Sequence, residues 1–221
     1  MRWLCRRPMR LEPDNPWQAQ ELRNAIARSK EMQTVTHIFW RHTQGQSLEY
    51  CRFTFEPHTT ISGTIIGDLQ GLRGALTYTV QCRPDGSTHW VQFRILSERE
   101  DRSGTLRRGE NGSWLVNDTV DPRLMPCHDV DIGVTPSTNT LPIRRLRLDV
   151  GASQELSAVW IRFPDLTVHP LVQRYTRMAP NLYRYESLTS GFQVTLQVDR
   201  HGIVQDYPGL WCRVWDTEGS L

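Results

Sequence analysis

Six runs in this chain set an apolar side chain at every second position, and no other feature of the sequence restricts its fold as much. Leu76, Tyr78, Val80 and Cys82 alternate with Thr77, Thr79, Gln81 and Arg83, and Phe192, Val194, Leu196 and Val198 alternate with Gln193, Thr195, Gln197 and Asp199. The same period returns in Cys51, Phe53 and Phe55, in Val91, Phe93 and Ile95, in Leu146, Leu148 and Val150, and in Val159, Ile161 and Phe163. A period of two places one face of an extended strand on a core and the other in water. Turn residues fall between the runs: Pro84-Asp85-Gly86, Asn111-Gly112, Gly151, Pro164-Asp165 and Arg200-His201-Gly202. Strands punctuated in this way predict an all-β, many-stranded antiparallel sheet, which must curl or close because a flat one leaves long unpaired edges. A rolled sheet has an inside, and an inside can hold a ligand.

One segment at each end falls outside this pattern. Asn15 and Pro16 supply an N-cap and a first helical position, and Leu22, Ala25, Ile26 and Ser29 follow at helical spacing. They predict a short amphipathic helix over about Pro16 to Met32, appended to the main domain because its apolar stripe is too thin to form a core of its own. The expected organisation is an extension over 1–36, a β domain over 37–215 and a tail over 216–221. A length of 221 residues suits one such domain. The formal net charge of +2 gives no general field for nucleic acid. Arg2, Arg6, Arg7 and Arg10 read as a solvated tail. The first residues make a poor secretory signal, and no window is apolar enough to span a bilayer. Cys5, Cys51, Cys82, Cys127 and Cys212 are odd in number and never spaced C-x-x-C, which fits reduced thiols in a cytoplasmic protein better than disulfides or zinc.

The chemistry concentrates between Cys127 and Leu146, overlapping a stretch from Asp118 to Pro142 that does not alternate. Asp129 and Asp131 lie two apart, so on a strand both carboxylates project to one face, where they repel unless a cation or donor intervenes. Arg144 and Arg145 are the nearest cations in sequence, and a guanidinium meets a carboxylate with two parallel hydrogen bonds. Three readings stay open here: a structural ion-pair network, a site for a ligand head group, and an acid/base or metal site completed by His128. The last lacks a visible fourth ligand. Thr135, Thr138, Asn139 and Thr140 offer the polar groups that sugar hydroxyls bond, and equally those that cap a short helix beginning near Pro142. In such a helix Leu141, Ile143 and Leu146 would face the core. Gln173, Tyr175, Tyr183 and Tyr185 join an apolar body to a polar tip, which suits a half-wet surface. Trp40, Trp114 and Trp160 read as core. No G-x-S-x-G elbow, P-loop, H-E-x-x-H or dinucleotide fingerprint occurs, which speaks against an enzyme and gives no cofactor.

The run Cys127-His128-Asp129-Val130-Asp131-Ile132-Gly133-Val134-Thr135-Pro136-Ser137-Thr138-Asn139-Thr140-Leu141-Pro142-Ile143-Arg144-Arg145-Leu146 resembles the signature of the bacterial putative glycolipid-binding family. The likeness continues through Val159 to Leu166, Gln173 to Arg177, Tyr183 to Ser187, Val198-Asp199 and Asp206 to Leu210, and upstream through Phe39-Trp40-Arg41 and Glu49-Tyr50-Cys51-Arg52. Two departures stand out: the extension before His37, and Trp90-Val91-Gln92-Phe93-Arg94, which lacks polar, basic character after its tryptophan. The resemblance implies a spiral β-roll or half-open barrel wrapped around a single helix, similar in outline to bacterial lipoprotein carriers. It also implies a homodimer and a glycolipid or other amphipathic ligand, and it brings no catalytic residue. The ligand's tail is then expected among core-facing aliphatics, with its head near Asp129, Asp131, Thr138, Asn139, Arg144, Arg145, Gln173 and Tyr175.

Overall fold

A computed structural model describes residues 35–217. The helix expected over Pro16 to Met32 lies outside the described residues. Within them the chain is a succession of strands: β1 (Val35–His42), β2 (Leu48–Thr54), β3 (Thr60–Asp68), β4 (Arg73–Cys82), β5 (Thr88–Ser97), β6 (Arg102–Arg108), β7 (Trp114–Val116), β8 (Thr119–Asp121), β9 (Cys127–Ile132), β10 (Ser153–Ile161), β11 (Val168–Ala179), β12 (Leu182–Ser187), β13 (Gln193–Val198), β14 (Val204–Tyr207) and β15 (Trp211–Asp216). All fifteen belong to one sheet in the order β8-β7-β6-β5-β4-β3-β2-β1-β15-β14-β13-β12-β11-β10-β9. Neighbours pair antiparallel except β9 and β10, which run parallel, a departure from the uniformly antiparallel expectation.

This order forces curvature. The outermost strands, β8 and β9, follow one another in sequence and are joined by residues 122–126 alone. Fifteen flat strands would hold their edges roughly 67 Å apart at about 4.8 Å per strand. A link of this length reaches about 20 Å. The sheet therefore bends back on itself, yet β8 and β9 do not pair, so it stays open. Across the gap the buried Trp114 Nε1 donates to the Cys127 carbonyl at 3.1 Å, joining β7 to β9.

The alternation predicted from sequence is the alternation of burial in most of these runs, although Phe192 lies exposed before β13 and Val194 is half-buried. Leu76, Tyr78, Val80 and Cys82 all face the core, as do Cys51, Phe53 and Phe55, and Val91, Phe93 and Ile95. Glycines make room where large rings cross the interior: a Cβ on Gly63 would lie 2.2 Å from the Tyr78 ring. Trp40 and Trp114 are fully buried, whereas Trp160 is half-buried.

One expected strand is absent. Leu146 ends a helix, α1 (Thr140–Leu146), and Arg147 turns the chain with a left-handed φ of 47°. Leu148 and Val150 then lie in a loop, with Val150 exposed, so the apparent alternation straddles a helix end. At seven residues α1 is too short to stand alone. It is held because Leu141 and Ile143 are buried, as is the 3₁₀ turn Ser137–Asn139 that leads into it. Side chains from β2, β4, β9 and β11 all bond the stretch from Thr135 to Arg145. The helix and its lead-in turn thus form a plug tied to buried side chains of the sheet.

Candidate ligand-binding site

Two concave regions border this plug and share no lining residue. A wide groove of about 1050 Å³ includes Leu141, Ile143, Arg144 and Arg145 from α1 in its lining. A smaller cavity of about 260 Å³ takes Thr135 and Asn139 from the preceding turn, with Asp131 of β9 in its wall. Of the residues singled out from sequence, Arg144 and Arg145 line the groove and Asp131 and Asn139 the cavity, whereas Asp129, Thr138, Gln173 and Tyr175 are buried and line neither.

On the groove side Asp129 is fully buried and Arg145 meets it with Nη2 on Oδ2 at 2.5 Å and Nε on Oδ1 at 3.1 Å. Burial lifts the Asp129 carboxyl above its usual value, and the Arg145 contact works against that rise. Arg144, expected to share this role, bonds neither aspartate. Its guanidinium lies 3.8 Å above the Phe55 ring and donates to the His201 carbonyl at 3.0 Å.

On the cavity side Asp131 has no cation. Gln173 Nε2 donates to its Oδ2 at 2.5 Å and also to the Tyr185 hydroxyl at 3.2 Å. Burial is the main cause that pushes the Asp131 carboxyl up to about 6, with the Gln173 and Tyr185 bonds pulling the other way. Its surface is half-buried, because solvent reaches it through the cavity. Tyr175 donates to Asn139 Oδ1 at 2.8 Å, and Asn139 Nδ2 donates to the Pro136 carbonyl. Asn139 therefore caps no helix through its side chain, contrary to one expectation; its amide is taken by tertiary partners instead. Thr138 accepts from the Ile132 amide at 3.3 Å, tying the turn to β9. Leu171, Phe192, Tyr207, Leu210 and Trp211 supply the cavity's apolar lining.

The acid/base arrangement expected as one alternative does not assemble. His128 is the exposed extra residue of a bulge opposite Ser157 and Ala158, and it hydrogen bonds neither aspartate. Each carboxylate has its own partner, so the two share no cation. Among the described residues no group of three metal-ligating side chains forms, and no helix is long and apolar enough to cross a membrane. Cys51, Cys82, Cys127 and Cys212 are free thiols.

One residue escaped the sequence reading. Glu49 is fully buried on β2 with no cation. Its carboxyl accepts from the Tyr78 hydroxyl and from Thr135 Oγ1 at 2.7 and 2.8 Å, while Ser137 lies 2.6 Å from the same tyrosine. Burial pushes Glu49 up to about 8 against these bonds. The signal was available: Glu49 stands in phase with Cys51, Phe53 and Phe55, a carboxylate on the core face of an alternating strand. Thr135 both lines the cavity and bonds Glu49, so the buried acid is one side chain away from the cavity wall. Trp90 to Arg94, the departure noted in sequence, lines neither region.

Comparison with known proteins adds the following. A family model described as "Putative glycolipid-binding" matches residues 37–213. A crystal structure of a DUF1089 family protein from Pseudomonas aeruginosa is 33% identical and superposes with a TM-score of 0.69, over 79% of this chain and 95% of that one. No curated protein matches.

Proposed function

The chain belongs to the putative glycolipid-binding family, and from that premise we propose that it binds an amphipathic molecule whose hydroxylated head group sits in the small cavity over Asp131. The observation that carries this reading is a half-buried carboxylate held only by neutral donors, in a cavity that also offers hydroxyls, an amide and aromatic rings. A carboxylate in that state retains acceptor capacity for sugar hydroxyls, and aromatic faces suit the apolar faces of a sugar ring. The cavity, at about 260 Å³, falls just below the usual range for whole ligands of roughly 300–1,000 Å³. It therefore takes a head group, and the tail runs out over the exposed ring of Phe192 at its rim. In this reading the sheet is a spiral roll that holds its ligand without changing it.

The test is native mass spectrometry of protein purified from its host, with thermal unfolding against a panel of glycolipids and simple glycosides. A bound glycolipid, or stabilisation of the order of 2.7 kcal/mol at a hundredfold excess over Kd, is expected. Protein that carries no lipid and gains stability from no member of the panel overturns the reading.

A second reading is a homodimer formed through the outer face, favoured by the exposed rings of Phe39, Tyr50 and Trp215, which cluster at centroid distances of 5.1 and 5.5 Å. Sedimentation of the native chain and of Trp215→Ser tests it: a concentration-independent monomer in both excludes the dimer.

A further inference from the structure

The wide groove has a different chemistry, and we propose that it is an anion site for a phosphate monoester. Six arginines line it (Arg83, Arg144, Arg145, Arg147, Arg177 and Arg200) against three carboxylates, Glu56, Asp85 and Asp199. Arg145 is matched by Asp129, and Asp199 by Arg213 at 2.8 Å, which removes one cation and one anion from the account. The informative members are those with no acidic partner.

Arg83, Arg144 and Arg177 are all half-buried, and none of them bonds a carboxylate. Backbone carbonyls hold them instead. Arg83 Nη2 donates to the Arg108 and Gly109 carbonyls at 2.7 and 2.9 Å, and Arg177 donates to Leu148 at 2.8 Å and Pro180 at 2.7 Å. Arg144 donates to His201 and stacks on Phe55. A carbonyl fixes a guanidinium's position without cancelling its charge; Asp85 acts on Arg83, and Glu56 and Asp199 on Arg144, only at a distance, so these three are preorganised and make no ion-pair contact. Behind Arg83 the buried Arg108 adds another guanidinium, whose Nε has no hydrogen-bond partner.

The protein itself shows how much charge one carboxylate absorbs: Asp129 is met by the single guanidinium of Arg145. Three guanidiniums without an ion-pair contact along one groove suit more than one negative charge and more than two acceptor oxygens. A phosphate monoester carries about 1.5 to 2 charges at neutral pH and three strong acceptors, and arginine forks fit its geometry. Phe55, Tyr183 and Ile143 line the same groove and give the organic part of the ester an apolar surface. Because groove and cavity share no lining residue, this site stands or falls separately from the one over Asp131.

Calorimetry on the full chain decides the matter. Glycerol phosphate should bind saturably at pH 7.5, more tightly than a singly charged alkyl sulfate because its second proton leaves near pH 6, and more weakly as salt rises. The double variant Arg144→Gln/Arg177→Gln should lose at least tenfold in affinity. Phosphatidylcholine vesicles doped with phosphatidic acid form a second arm. Binding to free glycerol phosphate supports a soluble ester, and binding to the doped vesicles alone supports a phosphate carried on a lipid. Binding to neither overturns the proposal, as does sodium dodecanoate binding as tightly as glycerol phosphate, or a double variant with native affinity. Should that variant fail to fold, the native protein still answers: affinity for glycerol phosphate no higher than for a singly charged alkyl sulfate at pH 7.5 rules out the phosphate dianion.

Discussion

The groove and the cavity are built from adjacent parts of one short segment, yet they manage charge in opposite ways. On the groove side the acid is neutralised and cations are left over: Arg145 satisfies Asp129, while Arg83, Arg144 and Arg177 rest on carbonyls. On the cavity side the acids are left over: Asp131 and Glu49 sit among amides and hydroxyls with no cation in contact. A fold selected for stability alone would pair these cations with the acids, because an unpaired buried ionisable group is costly whether it stays charged or, like Glu49, keeps its proton. Keeping them in separate regions, one lined by α1 and the other by the turn before it, is a sign of binding work, since perturbed ionisable groups gather where ligands meet the protein.

The largest effect should come from Glu49. Its folded-state value, about 8, is raised above the ordinary 4.5, so between those limits the folded protein holds a proton that the unfolded chain has released. Stability contributed by this group is therefore complete below pH 4.5 and is lost as pH rises towards 8, at about 1.4 kcal/mol per unit. Urea unfolding of the wild type and Glu49→Gln across this range should give curves that diverge with pH, the variant losing less. Parallel curves would mean that Glu49 is solvated in the native state and that the cavity side holds no buried acid beyond Asp131.

The matched pair on the groove side gives the next effect. Arg145→Ala leaves Asp129 buried without its cation, which should cost about 3 kcal/mol in chemical denaturation. Asp129→Asn should cost less, because Arg145 is partly solvated and can turn to water. If the two variants cost the same, the contrast between a closed pair and open charges fails.

Gly63→Ala tests how the cavity side is held. The new methyl would meet the Tyr78 ring at 2.2 Å, and overpacking of this kind costs typically 1–3 kcal/mol. Displacing Tyr78 should also change the Glu49 titration, since that hydroxyl is one of its donors. A variant with native stability and native pH dependence would show the Tyr78 contact to be dispensable.

How much of this was legible in sequence depends on what each residue answers to. Strands such as Leu76 to Cys82 were readable because a period of two is imposed locally by the pleat and globally by one buried face, and the two agree. Leu146, Leu148 and Val150 misled because three apolar residues also alternate across a helix end, where Arg147 reverses the chain. The parallel pairing of β9 with β10 left no local mark, since register between distant strands is set by the whole sheet. At the site, Arg145 with Asp129 was legible as charge complementarity at short range. Gln173 with Asp131 was not: the two lie 42 residues apart, and only the strand order, which sets β11 one strand away from β9 across β10, makes them neighbours. Glu49 was visible as a phase violation and carried information for that reason.

The smallest expected effect, Asp131→Asn, separates function from stability. Asp131 is raised from 3.8 to about 6, so like Glu49 it withdraws stability as pH climbs through that window. Solvent reaching it through the cavity weakens the effect, and the neutral amide should raise the stability of the ligand-free protein by only about 1 kcal/mol at pH 8. The same change removes an acceptor that a sugar hydroxyl would use, so stabilisation by added glycolipid should fall by tenfold in apparent affinity even as the free protein improves. Opposite signs in one variant are what a binding carboxylate predicts. A variant that gains stability and keeps full ligand response would make Asp131 a bystander. The surplus acid of the cavity side would then need an explanation other than recognition.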